Sequence, residues 1–143
     1  MIRKISEKDT GLLFAILDQF KREIGENDLG ELSKKEIRNA ILTNRITFYG
    51  IFEEELIAIC SLSKCFSTYK ASDIAMLDDV FVAKKFRKQG YLRKLINFVK
   101  EDAINESISS IMLGSSENDI EMYKSIGFQY ILGTMMAMDI VNN

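Results

Sequence analysis

Three groups of residues in this 143-residue chain could do chemistry. The first is the run Val82 to Leu95, VAKKFRKQGYLRKL, where Lys84, Lys85, Arg87, Lys88, Arg93 and Lys94 occur with no acidic residue between them. The formal charge of the chain is -2, so once these six positives are set aside the remainder carries -8. An acidic protein that concentrates cations in one stretch is suited to hold an anion there. The stretch begins as the apolar end of a strand and finishes in a helical repeat. A helix start offers unpaired N–H groups and the positive end of the dipole to a phosphate. Gly90, lacking a Cβ, lets the backbone approach such a ligand closely. The second group is the pair Asp78-Asp79, just before this run. A carboxylate accepts a proton near neutrality only if its pKa is raised or a water relays the proton. The third is Tyr123, four residues before Gly127-Phe128.

Each has a plainer reading. The basic run is also a solvated lysine-rich loop, Asp78 and Asp79 are ordinary charges at a strand edge, and Tyr123 packs on Ile120 and Ile126 at helical spacing. Nucleic-acid binding is the sharper rival for the cations, because phosphate contacts dominate such recognition. The acidic balance of the chain and the few nearby aromatics, Phe86 and Tyr91, argue against it.

Composition excludes much else. With no histidine, the chain contains no Ser-His or Cys-His nucleophile pair and no His-ligated metal. Cys60 and Cys65 lie five apart on one strand and point to opposite faces, so they read as two small buried apolar side chains rather than a disulfide. Neither a Walker-type loop nor a GxGxxG run is present. No apolar stretch approaches membrane-spanning length, and MIRKISEKD lacks a signal-peptide core, so a cytoplasmic location is expected.

The elements that must position these residues follow in order. Ile2–Ile5 reads as a short strand. Ser6 to Asp9 has capping-box spacing and leads into Leu12, Leu13, Ile16, Leu17, Phe20 and Ile24 at helical period. A second helix is expected with Ser33 as N-cap, Glu36 three residues on, and Leu32 and Ile37 as a staple. Ile46–Phe52 and Leu56–Leu62 form a hairpin pattern around Glu53-Glu54-Glu55. A strand over Ile74–Val82 alternates Asp78, Val80 and Val82 on one face with Leu77, Asp79 and Phe81 on the other. Leu92, Leu95, Ile96, Val99 and Ala103 make an amphipathic helix after Gly90. A short strand, Ser109–Leu113, follows, and this strand–helix–strand unit predicts a parallel pair. A helix over Ser116–Ile126 stops at Gly127. Strands are then expected over Phe128–Ile131 and Thr134–Ile140, with Met135, Met136 and Met138 in the core. The order is βααβββαβαββ, a single mixed α/β domain over 1–143.

That order, with this junction, resembles the GNAT superfamily of acyl-CoA N-acyltransferases. Its signature is a strand ending in Val, then Arg-x-x-Gly-x-Gly/Ala opening a helix, then Leu; Val82, Arg87-Lys88-Gln89-Gly90-Tyr91-Leu92 and Leu95 take those places. A tyrosine four residues before Gly-Phe is met by Tyr123 to Phe128. The resemblance implies acetyl-CoA as cosubstrate and no metal. It implies a cofactor site in which Lys88, Gln89, Gly90, Leu92 and Arg93 offer backbone amides to the pyrophosphate, with Tyr91 in the same turn. Arg87 and Lys88 add charge, and Phe81 and Val82 donate backbone hydrogen bonds to the pantetheine arm. It further implies direct attack by a primary amine in a ternary complex, with Tyr123 as general acid toward sulfur and Asp78 the preferred carboxylate to receive the amine proton. A non-catalytic acyl-CoA sensor is the alternative. Expected partners are acetyl-CoA and an amine, with no nucleic acid or membrane and with a homodimer as an option.

Overall fold

The computed structural model describes residues 1–141, and the chain forms two compact units, Met1–Leu113 and Gly114–Asn143. The first unit holds a five-stranded sheet in sequence order. Its strands are β1 (Ile2–Lys4), β2 (Thr47–Phe52), β3 (Leu56–Ser67), β4 (Ser72–Val82) and β5 (Ile111–Met112). The first four pair antiparallel, and β4 pairs parallel with β5, as the strand–helix–strand pattern predicts. β3 and β4 are longer than their apolar runs, because a hairpin ladder carries the pairing outward through polar residues to Ser67 and Ser72. Cys65 lies on that outer arm and is exposed, unlike the buried Cys60, and both thiols are free.

Helices α1 (Thr10–Glu23) and α2 (Glu31–Leu42) precede β2, and α3 (Tyr91–Asn105) links β4 to β5. The Asp9 carboxylate accepts from the Ser6 N–H at 2.8 Å and the Ser6 hydroxyl at 2.9 Å, so the expected box starts the first helical stretch. Arg3 grips the same carboxylate with two bonds and holds it well below the usual carboxylate range. Leu13, Ile16 and Leu17 then bury against Phe48 and Ile59. The cap of α2 is Gly30, three residues before the expected Ser33. Gly30 is extended there and its carbonyl accepts the Lys34 N–H at 3.1 Å, while Glu31 occupies the first turn, where the dipole favours an acid.

α3 buries Leu95, Ile96, Val99 and Ala103. Tyr49, neighbour of Phe48 on β2, points to this side and meets Phe98 edge-on with ring centroids 6.2 Å apart. Its hydroxyl donates to Asp102 at 2.5 Å, and Lys4 of β1 reaches the same carboxylate at 3.2 Å. Burial first, and then this carboxylate, push the Tyr49 phenol well above its ordinary value, so it stays a donor.

The alternation expected for β4 is interrupted. Ser61 faces Asp78 and Ile59 faces Phe81, so Asp79 and Val80 share the place opposite Cys60. This is a β-bulge, with Asp79 left-handed at φ +52°. Without the extra residue, Phe81 would oppose Ala58 and share a face with Leu77. With it, Leu77 pairs with Leu62 and Phe81 with Ile59, positions on opposite faces of β3.

The second unit contains α4 (Ile120–Ser125), entered through a 3₁₀ turn over Glu117–Asp119 and ended by Gly127 at φ +119°. The two strands expected after it are absent among the described residues. Tyr130, Ile131 and Leu132 are exposed, and so are Met135, Met136 and Met138, which were expected in the core. β-propensity says only that a segment fits a pleated, half-buried surface; a strand also needs a ladder partner. Met135 instead lays its sulfur over Gly114, in space a Cβ would occupy.

Tyr49→Phe removes the buried bond that ties α3 to β2. It should lower unfolding free energy by about 1 kcal/mol and Tm by roughly 3–4 °C. Chemical and thermal denaturation check this, and an unchanged midpoint would show that the bond contributes nothing net.

Candidate active site

The basic run folds as a 3₁₀ turn over Lys84–Phe86, an extended Arg87, a left-handed Lys88 at φ +61° and a left-handed Gly90 at φ +84° that opens α3. The first bond of the helix is Lys94 N–H to the Gly90 carbonyl, 3.2 Å. The amides of Tyr91, Leu92 and Arg93 therefore precede the helical ladder and stand at its positive end. Left-handed turns beside a helix start curl backbone N–H groups into an anion-holding concavity. A Cβ built at Gly90 meets nothing within 4 Å, so the space before the helix is open to a ligand. Gln89 steadies the loop by donating to the Lys85 carbonyl at 3.0 Å, and Phe86 meets Tyr91 edge-on at 6.0 Å. Leu92 is half-buried in the first turn. These features fit the pyrophosphate of acyl-CoA.

β4 and β5 pair only at Ala75–Ile111 and Met76–Met112, although β4 runs on to Val82. Beyond Met76 the β5 side of β4 therefore carries no ladder in this unit. The Ala83 N–H bonds to the Ile57 carbonyl at 2.8 Å, toward β3. Strand alternation then turns the N–H of Val82 to the open side and pairs Phe81 with β3. An extended acyl chain could lie along that side.

Arg87 is already occupied. Its Nε donates to the Val82 carbonyl at 2.8 Å, its two terminal nitrogens donate to Glu23 at 2.7 and 2.6 Å, and it covers the Phe81 ring at 5.3 Å. The guanidinium hydrogen bonds hold Glu23 below its ordinary pKa. Arg87 thus ties the end of β4 to the end of α1, and Glu23 offsets its charge. Lys85 is likewise paired with Glu55 at 2.9 Å. Nothing in the sequence links Glu23 to this loop, 64 residues away.

The bulge separates the two aspartates. Asp78 is exposed and its carboxylate accepts the Asp79 N–H at 2.9 Å. Asp79 is half-buried and accepts the Ser61 hydroxyl at 2.7 Å. Burial raises its carboxyl above the ordinary value, the Ser61 bond opposes that rise, and the Asp78 charge adds to it. Asp79 lines a groove of about 480 Å³ between α1, α2 and the start of β2, whose walls include Leu17, Phe20, Ile37 and Phe48. Sequence reasoning missed Ser61; a buried hydroxyl within the apolar run Leu56–Leu62 was the available signal.

In the second unit, Tyr123 packs edge-on against Phe128 with centroids 5.7 Å apart, and its carbonyl accepts the Phe128 N–H at 3.1 Å. The left-handed Gly127 makes that return possible. Among the described residues no group of three or more His, Cys, Asp or Glu side chains forms a metal cage, and no helix is long and apolar enough to cross a membrane.

Solved structures share this architecture. A probable acetyltransferase matches with a TM-score of 0.88 at 21% identity, covering 100% of this chain and 99% of its own. Glucosamine-6-phosphate N-acetyltransferase from Arabidopsis thaliana matches at 0.80 and 16% identity, over 99% and 98%. A predicted acetyltransferase with acetyl-CoA from Clostridium acetobutylicum matches at 0.78 and 18%, over 96% and 95%. At these identities the likeness is one of fold. No curated protein matches the sequence. The family model described as the acetyltransferase (GNAT) family matches residues 13–128, most of the chain, and spans β2 to β5, the basic loop and the Tyr123–Phe128 turn. The chain therefore belongs to the GNAT acetyltransferase family and is an acyl-CoA-dependent N-acyltransferase.

Proposed function

We propose that residues 1–143 act as one domain that transfers acetyl from acetyl-CoA to a primary amine by direct attack in a ternary complex. The observation that carries this is the bulge, because it turns Asp79 into a groove only three residues along β4 from Val82, at the open strand edge. The amides of Lys88 to Arg93 hold the pyrophosphate, Lys88 and Arg93 add charge, and Val82 binds the pantetheine arm. Asp79 takes the role that the sequence favoured for Asp78, removing a proton from the bound ammonium. Asp78 holds the Asp79 amide and keeps the bulge in place. The freed nitrogen attacks the thioester carbonyl, the C–N bond forms, the C–S bond breaks, and the departing thiolate takes up the proton that the new amide nitrogen sheds. A thiol with a pKa of about 8.5 leaves readily, so that last proton contributes a modest factor. Deep burial pushes the Cys60 thiol well above its ordinary value, which favours direct attack over a cysteine-bound intermediate.

Three outcomes follow. Gly90→Glu should weaken acetyl-CoA binding at least 100-fold by calorimetry, with stability reduced by only about 1–2 kcal/mol for the left-handed site; unchanged affinity would remove the cofactor assignment. Asp79→Asn keeps a residue tolerant of the left-handed turn and should lower kcat by roughly 10²–10⁴-fold with acetyl-CoA affinity preserved. Ser61→Ala deletes the bond that opposes the raised Asp79 pKa, so the base should protonate at higher pH. The acid limb of the kcat/KM profile then moves upward, and an unmoved limb would exclude Asp79 as the base.

A further inference from the structure

We infer that the acceptor is a primary amine on an apolar body, an aryl- or alkyl-amine, rather than a sugar amine or a polyamine; this rests on the transfer reaction proposed above. The groove of about 480 Å³ lies within the roughly 300–1,000 Å³ of small-molecule sites. Its walls are largely apolar: Leu17 and Phe20 from α1, Ile24 and Leu29 from the loop that follows, Ile37 from α2, and Phe48 from β2. Phe20 packs against Phe81 with ring centroids 5.1 Å apart, which extends the apolar wall to the strand beside the bulge.

The polar lining is sparse and largely engaged. Lys21 is bound to Glu26 at 2.9 Å, and the Arg45 Nε donates to the Thr43 hydroxyl at 3.2 Å. Glu26, Glu36 and Asp79 against Lys21 and Arg45 leave the lining with one negative charge in excess, which suits a single cationic head. A sugar amine would place several hydroxyls against Leu, Ile and Phe side chains that cannot bond them, and unpaired buried polar groups are costly. A polyamine would bury a second charge against the same walls.

The test is calorimetry of the full chain with phenethylamine, tryptamine, glucosamine and spermidine, with and without acetyl-CoA, alongside thiol release. Phenethylamine or tryptamine should show kcat/KM at least tenfold above glucosamine and spermidine. Ala40 lines the groove from α2, a helix with no buried residue, so Ala40→Phe fills the groove without disturbing the core. It should weaken the apolar amines at least tenfold and leave acetyl-CoA affinity unchanged. Preference for glucosamine or spermidine, or an Ala40→Phe variant equal to wild type, would overturn the inference and leave the transfer reaction standing, whereas acetyl-CoA binding with no amine bound or acetylated would overturn both. Failure of acetyl-CoA to bind would instead defeat the transfer reaction, and amine titration of the free protein would still decide what the groove accepts.

Discussion

One inserted residue in β4 sets the geometry of the strand end beside the groove. With Asp79 and Val80 together facing Cys60, every side chain after the bulge changes face, and Phe81 reaches the α1 side. There it meets Phe20 and lies beneath Arg87, whose guanidinium holds the Val82 carbonyl and Glu23 together. The helix that walls the groove and the loop that opens α3 are thus joined through one strand end. A left-handed aspartate is a modest strain, and Asp is among the residues that tolerate it best. What the strain gains is position: a carboxylate drawn out of the regular ladder, partly shielded from water, with one hydroxyl donor to temper its pKa.

The cationic run works by subtraction as much as by sum. Two of its six positives are matched by Glu23 and Glu55, and Lys94 lies 5.4 Å over the Tyr91 ring. The backbone contributes what side-chain charge alone cannot, a fixed set of N–H groups at a helix start with open space before Gly90.

Much of this was legible in the chain because it is local. The Ser6–Asp9 box, the amphipathic face from Leu95 to Ala103, and the helix stop at Gly127 each depend on residues within a turn or two. Features set between distant segments were not. The bulge is decided by how β3 and β4 pair, and either aspartate can satisfy an alternating pattern on its own strand. The Glu23–Arg87 pair joins residues with no sequence signal between them. Ser33 looked like a cap because Ser and Glu have the right spacing, yet Gly30 could be extended three residues earlier and start the helix first. The apolar stretch after Phe128 has strand-like composition but no ladder partner among the described residues, so composition overstated its order.

Amide hydrogen exchange followed residue by residue, with and without acetyl-CoA, tests most directly where the cofactor binds. Protection should concentrate at Val82 and from Lys88 to Arg93, while the Phe81 amide, already paired to β3, changes little. Binding that leaves Lys88–Arg93 exchanging as before and protects another part of the chain would contradict the site.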